Sequence, residues 1–394
     1  MRVLVAHNRY RSGQPSGENA AVDAEIAELR AAGIEVRAYL PASDDIADLR
    51  TVRRIGVATG PVLNPWGVRE VTRLIAELRP DVLHIHNVFP LVSPWAIRAA
   101  RARGVPVVQT VHNYRHSCVA GFRYRSGAPC DDCVGRRLPL PAIRHGCYRG
   151  SRLQSTAMAV GQAVHRETWL SVDRFVALTP FQRGELIRFG VPPDRIALRP
   201  TSVPDPGPPP PLGRNVLFVG RLDDMKGARL LLQAWSRVSQ PPRTRLRVVG
   251  DGPAGAGLRR LASAEPEVDL LGLLEPAGVA RELAAAALVV IPSRWYEGQP
   301  RVYVEALAHG RPVLATDVGS LAGLRDLGVG WSVPPNAAAL AGALTVLHDR
   351  STLELRGRRA RAEYERTHSP GRALELLLGV YEAVLSRPGT HRHH

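Results

Sequence analysis

Lysine is nearly missing from this chain of 394 residues: among 52 basic side chains the single lysine is Lys226, and the rest are arginine. Aromatic residues are scarce too, at 5%. A protein that grips nucleic acid needs aromatics interleaved with its cations, or a known binding module. Neither is present, so nucleic acid is excluded as a partner despite a net charge of +16. Long apolar runs are also lacking. The longest, from Leu283 to Ile291, is far short of the ~20 residues that span a bilayer. The opening MRVLVAHNRYRSG has no apolar core of the signal-peptide kind. The expectation is a soluble cytoplasmic protein, at most peripheral at the inner membrane face.

The positive charge is uneven. Residues 1–200 carry 28 arginines against 17 acids, for +11, and residues 201–394 carry 24 basic residues against 19 acids, for +5. Part of this excess reflects the arginine bias of a GC-rich genome, and part invites anionic partners such as phosphorylated substrates or membrane surfaces. Against that bias Lys226 is informative. An ammonium is a compact point charge where a guanidinium is a broad planar fork.

Val- and Leu-rich runs alternate with helical patterns throughout, which signals parallel sheets with crossover helices. In the first half the expected strands are Val3–Ala6, Glu35–Leu40, Val82–Ile85, Val105–Val111 and Arg174–Leu178. Six of the eight residues 204–211 are proline, which reads as a semi-rigid linker. The pattern then restarts with Asn215–Gly220, Leu246–Val249, Val268–Leu271, Leu288–Ile291 and Pro312–Ala315. The fold class is α/β, with two doubly wound Rossmann-like parallel-sheet domains facing a cleft. The expected boundaries are a first Rossmann-like domain over 1–200 with a basic insertion at about 113–150, a linker over 201–213, and a second Rossmann-like domain over 214–370. A C-terminal helix and tail over 371–394 should pack back on the first domain.

Ligands of such sheets sit beyond the carboxyl ends of the strands, so charges and glycines there carry most weight. Ser12–Asn19 is a glycine-containing turn before a helix, and Gly17 would let backbone amides approach a phosphate. Gly220–Gly227 places Arg221 and Lys226 around a second such turn, a pairing suited to a diphosphate. In Ser293–Gly310, Glu297 lies in a loop and Pro300 is placed as the first helical residue. Glu305 falls within the apolar run Val302–Ala308, where a carboxylate needs a partner. Two carboxylates so spaced could hold hydroxyls at both ends of an elongated ligand. Finally, Asp81–Asn87 and Val111–Tyr114 end two strands with imidazoles. His112 should point toward the site, while His84 and His86 read equally as satisfied core histidines.

With these motifs in hand, the chain resembles the family-4 retaining glycosyltransferases of the GT-B fold over essentially its whole length. The resemblance rests on the Glu-x7-Glu of Glu297 and Glu305, the Gly-Arg-Leu and Lys-Gly of 220–227, the Val-Val-Gly-Asp-Gly-Pro of 248–253 and the Gly-x-Pro-Val of 310–313. It implies that Arg221 and Lys226 bind the donor diphosphate, Glu305 the ribose and Glu297 the transferred sugar. It also implies that amides near Gly298, Gln299 and Pro300 hold sugar hydroxyls, that Gly17 touches the phosphate, and that Gly272–Leu274 covers the base. His112 would line the sugar and acceptor side. One departure is Ser16-Gly17, where many members carry two glycines. The implied reaction moves a sugar from a nucleotide-diphosphate sugar to a hydroxyl acceptor (glycan, lipid-linked or small-molecule). It needs no metal and no enzymatic nucleophile: attack comes from the front face, with the departing phosphate as base. The runner-up is a sugar-nucleotide epimerase of the same shape, followed by a non-catalytic sugar-nucleotide binder.

All four cysteines, Cys118, Cys130, Cys133 and Cys147, fall within thirty residues in the pattern C-x11-C-x2-C-x13-C. Structural zinc suits this set better than disulfides or unliganded thiols, and a subset of the resembled family carries a similar cysteine-bearing segment. Around them, residues 101–152 hold ten arginines and two acids. This basic insertion is expected to meet an anionic acceptor or anionic lipid headgroups.

Overall fold

A computed structural model describes residues 1–13, 16–48, 57, 60–239, 241 and 243–386. The chain divides into two units. Unit 1 comprises residues 1–123, 130–200 and 373 onward, and unit 2 comprises 124–129 and 201–372.

Unit 1 is built on β1 (Arg2–Ala6), α1 (Gly17–Ala31), β2 (Glu35–Tyr39), α2 (Pro65–Leu78), β3 (Val82–Ile85), α3 (Trp95–Arg101) and β4 (Val107–Val111). The cysteine segment itself contains α4 (Leu140–Arg144), and after it come α5 (Arg152–Leu170), β7 (Arg174–Ala177), α6 (Pro180–Phe189) and β8 (Ile196–Leu198). The strands form one parallel sheet in the order β2-β1-β3-β4-β7-β8. Successive residues face opposite sides of a strand. Leu4, Leu83, Ile85, Val107 and Phe175 therefore join one apolar layer, and Val3, Val5, Val82, Val108 and Val176 the other. Serine, asparagine and threonine side chains open the helices: Ser16 accepts from Asn19 N–H, Asn64 from Gly67 N–H and Thr179 from Gln182 N–H.

Unit 2 repeats the plan with β9 (Asn215–Val219), α7 (Ala228–Trp235), β10 (Leu246–Val249), α8 (Gly255–Ala262), β11 (Val268–Gly272), α9 (Pro276–Ala285) and β12 (Ala286–Ile291). It continues through α10 (Arg301–Ala308), β13 (Val313–Thr316), α11 (Leu324–Leu327), β14 (Gly330–Val333), α12 (Ala337–Leu344) and α13 (Arg350–Glu363). Its parallel order is β11-β10-β9-β12-β13-β14. In both sheets the chain runs outward in one direction, then returns to the middle and runs outward in the other. The reversal falls between β1 and β3 in unit 1 and between β9 and β12 in unit 2, and such a switch point opens a crevice beyond the strand ends.

Several details differ from the sequence reading. The structure adds β8, β14, α4 and α8, which are three to eight residues long and too short to show a period. After α13 a π turn over Tyr364–His368 and the Ser369–Pro370 step end the helix, and α14 (Pro370–Leu385) begins one residue before the expected C-terminal helix. Pro300 precedes α10 rather than opening it, with an extended ψ of 128°. The proline-rich stretch lies within unit 2. There the buried Arg311 guanidinium donates to the Pro210 and Pro211 carbonyls at 2.8 and 3.3 Å, and Val203 enters the core. From Ala373 onward the chain belongs to unit 1. Leu377, Val380, Tyr381 and Val384 of α14 complete the layer formed by Val3, Val5 and Val22.

Candidate active site

In unit 2 the loops after β9 and β12 leave adjacent strands at the switch point. Gly227 makes their close approach possible. Its φ is +72°, and a Cβ there would lie 1.9 Å from the Pro292 carbonyl oxygen, so any side chain would drive the two loops apart. Gly250 does the same between β10 and β9, where a Cβ would meet the Gly220 oxygen at 1.9 Å. The lysine loop is shaped by Asp223, which accepts from the Lys226 N–H at 2.9 Å.

The result is a direct pairing of two expected site residues. Lys226 Nζ donates to Glu297 Oε1 at 2.7 Å, and the same oxygen accepts from Ser293 Oγ at 2.6 Å and Trp295 Nε1 at 2.9 Å. Three donors on one oxygen fix the position of the carboxylate. Glu297 is buried, while Lys226 stays partly open to solvent and lies 5.4 Å over the Trp295 ring. Ser320 Oγ donates to the Glu297 carbonyl, which holds the loop backbone as well.

The remaining expected residues are less tightly joined. Arg221 is half-exposed, with Nε 3.4 Å from Asp223. Glu305 has a partner, as its apolar setting requires, and that partner is Arg301 one turn earlier at 2.7 Å. Gln299 is anchored by accepting from the Thr201 N–H at 2.6 Å. Gly298 lies beside it in the same loop. Gly272 ends β11 with φ +69° and open space around its α-carbon, and Leu274 is partly buried against the core. Asp224 is paired with Arg294, and Tyr124 of the small hairpin β5 (Tyr124–Arg125) and β6 (Ala128–Pro129) donates to it. Arg294 also donates to the Gly127 carbonyl at 2.7 Å. Ser293 and Trp295 escaped the sequence reading because a hydrogen bond to a carboxylate two or four residues away leaves no periodic trace.

In unit 1, Gly17 is the first residue of α1; Gln14 and Pro15 of its turn lie outside the described residues. Beyond β3 and β4 the imidazoles converge. His86 Nδ1 and His112 Nε2 are 2.9 Å apart, with the rings stacked at 5.2 Å. Burial, reinforced by His86 and His7, holds His112 well below its ordinary pKa, so it is neutral at pH 7. A cavity of about 20 Å³, room for one water, is lined by His86, His112, Glu18, Asn113 and Arg115. Burial pushes the Glu18 carboxyl up, opposed by the Tyr10 hydroxyl that donates to it at 3.0 Å. His84 is a satisfied core histidine, bonded to Tyr381 and Thr110 at 2.7 and 2.8 Å.

The four cysteines form no disulfide with one another and gather in one small substructure, where Cys133 and Cys147 pack against Val119, Ala142 and Met158. Burial, and then the neighbouring Cys118, Cys147 and Cys130, push the Cys133 thiol up to about 11. Among the described residues, the group of three whose ligand atoms lie within 4.8 Å of one another is Glu25, His84 and His86, not the cysteines. Arg199 occupies Glu25 at 2.6 Å, which makes that trio an ion network.

Two doubly wound parallel sheets of this plan define the GT-B class. Among solved structures, the chain is similar to sucrose-phosphate synthase from Thermosynechococcus elongatus, with TM-score 0.70 and 19% identity over 98% of this chain and 100% of that one. It is similar also to HepE from Anabaena, solved with UDP, with TM-score 0.65 and 17% identity over 97% and 100%. A "Glycosyl transferase 4-like domain" model matches residues 16–201, and a "Glycosyl transferases group 1" model matches residues 213–350. The chain belongs to the family-4 glycosyltransferases. Its relatives include a phosphatidyl-myo-inositol mannosyltransferase of Mycobacterium leprae, 28% identical over 91% of each chain. A D-inositol 3-phosphate glycosyltransferase of Rhodococcus erythropolis is 30% identical over 79% of this chain and 73% of that one.

Proposed function

We propose that this glycosyltransferase retains anomeric configuration and moves a sugar from a nucleoside diphosphate donor to a hydroxyl on an anionic acceptor. The observation that carries the reading is the Lys226–Glu297 pair at the switch point of unit 2. As the bond from the anomeric carbon to the diphosphate breaks, charge builds on the leaving phosphate, and the Lys226 ammonium with the Arg221 guanidinium offsets it. Glu297, locked by three donors, orients a sugar hydroxyl. The acceptor oxygen bonds to the anomeric carbon on the face the phosphate leaves, and its proton passes to that phosphate. Structures of HepE with UDP-glucose support the donor class. Glu305 and the Gly272–Leu274 segment would serve the ribose and base, Gly298–Pro300 the sugar, and Gly17 the phosphate.

The test is to incubate purified protein with nucleotide sugars, with and without acceptor. Transfer giving a product of the donor's anomeric configuration supports the reading. An inverted product, or interconversion of the donor sugar without transfer as an epimerase would give, overturns it.

The acceptor reading rests on the cysteine-bearing substructure. Arg136, Arg137, Arg144, Arg149 and Arg152 are exposed there. Leu153, Val160 and Val164 share one face of α5, and Leu153 is 81% exposed. Cations beside an exposed apolar row suit an anionic lipid surface, and the names of the relatives include phosphatidyl-myo-inositol and inositol 3-phosphate. Among the described residues no helix is long and apolar enough to cross a membrane. Sedimentation with phosphatidylglycerol vesicles should exceed that with phosphatidylcholine vesicles and fall with added salt; equal binding to both contradicts the reading. We also infer that the four thiols rotate together to hold one structural zinc, a donor set that metal prefers. Elemental analysis should find one zinc per chain, and none in chelator-free preparations contradicts it.

A further inference from the structure

Behind His112 lies a buried chain of groups that ordinary core packing does not require. Glu25 sits on the apolar face of α1, between Val22, Ile26 and Leu29, and is itself buried. One of its oxygens accepts from Arg199 at 2.6 Å. The other, Oε1, lies 3.2 Å from His86 Nε2 and 3.1 Å from His84 Nδ1. Both Glu25 Oε1 and His86 Nε2 are shut off from solvent, and neither has an aligned hydrogen-bond partner elsewhere. Two such atoms 3.2 Å apart satisfy each other only if a proton lies between them. On its far side the His86 ring meets His112 at 2.9 Å.

We propose that Glu25 and His86 are positioning residues that fix the tautomer and orientation of His112. An ionised carboxylate only accepts, so His86 carries its proton on Nε2, toward Glu25. Its Nδ1 is then a bare acceptor, and the hydrogen bond to His112 requires the proton of His112 to be on Nε2. His112 therefore keeps Nδ1 unprotonated. Setting a functional imidazole's tautomer through a buried acid behind it is a general device of enzymes.

The ionisation that this logic requires is supported by the surroundings. Burial alone would raise the Glu25 carboxyl, but its polar surroundings, with the permanently cationic Arg199 guanidinium bonded to it at 2.6 Å, hold it well below the usual carboxylate range. The charged and titratable groups facing the chain include Arg199 after β8, with Glu28 of α1 beside it, His84 on β3, His7 after β1, Glu18 on α1, Arg115 after β4 and Tyr381 on α14. His7 is held down to about 3, first by burial and then by His86, so it adds no competing charge at neutral pH. The functional part of this inference rests on His112 serving the sugar and acceptor side.

Nitrogen-15 NMR of histidine-labelled full-length protein at pH 7.5 tests the tautomer directly, with His112 signals assigned by their loss in His112→Gln. The expected result is a neutral His112 with its proton on Nε2. A proton on Nδ1, or an imidazolium, overturns the proposal even if the protein transfers no sugar at all. In Glu25→Gln an amide donor faces His86, so the chain should reverse and His112 should shift to the Nδ1-protonated form. Transfer should then fall about 10- to 100-fold in kcat with donor KM unchanged. Should Glu25→Gln not fold, His86→Gln serves: His112 should lose its single tautomer and kcat should fall likewise. An unmoved tautomer in the folded variant, or an unchanged kcat alongside a moved one, rejects the positioning role.

Discussion

Replacing Lys226 with alanine is expected to reduce transfer by about 100-fold or more, because a preorganised charge at the leaving group is worth roughly 3–4 kcal/mol. The loss should fall on kcat more than on donor KM, since charge on the phosphate grows toward the transition state. The fold should persist. Glu297 keeps its bonds from Ser293 and Trp295, and Lys226 lies at the edge of solvent. Glu297→Ala should reduce transfer comparably. Lys226→Arg should recover only part of the activity: a guanidinium is broader and flatter than an ammonium, and Glu297 and the Trp295 ring flank the ammonium. The measurement is steady-state transfer for each variant beside a thermal melt. Transfer within threefold of wild type in a folded Lys226→Ala protein contradicts the assignment.

The second large effect is on stability. Arg199→Leu strips the cation from Glu25 in the interior of unit 1, and breaking a buried pair from one side costs about 3–5 kcal/mol. Its pH dependence follows from the depressed Glu25 carboxyl. A group whose folded pKa lies below its unfolded value of about 4.3 stabilises fully above that value, and the contribution is lost as pH falls through the folded pKa. The variant's deficit should therefore be largest at neutral pH and shrink on acidification, as Glu25 takes up a proton. Urea titrations at pH 7 and at pH 3, below the unfolded value of about 4.3, measure it. A deficit under about 1 kcal/mol at pH 7, or one that grows in acid, contradicts the argument.

The contrast between these two sites explains what was legible in the sequence. Parallel strands buried on both faces are continuous apolar runs, so β1, β3, β4, β9, β10 and β12 stand out, and the motifs sit where those strands end. Lys226 and Glu297 were each visible as charges in glycine-bearing loops, yet their contact crosses 71 residues and no local pattern encodes it. Glu305 shows the opposite case: a partner was foreseeable from its apolar setting, and the nearest cation on the helix, Arg301, took that place. Glu25 left a trace that went unread, a carboxylate between Val22 and Leu29 on a helix's inner face. Arg199 meets it from 174 residues away, and the Tyr381 hydroxyl meets the neighbouring His84 from 297, both beyond the reach of sequence spacing.

The return of α14 to unit 1 bears on how the polypeptide matures on the ribosome. Val3, Val5 and Val22 wait for Leu377, Val380 and Tyr381 to cover them, and His84 waits for the Tyr381 hydroxyl. Residues 201–372, by contrast, emerge with nearly all of unit 2's own apolar layers. The half translated second is thus the first to have its core in hand, and the half translated first stays open-sided until α14 has been made.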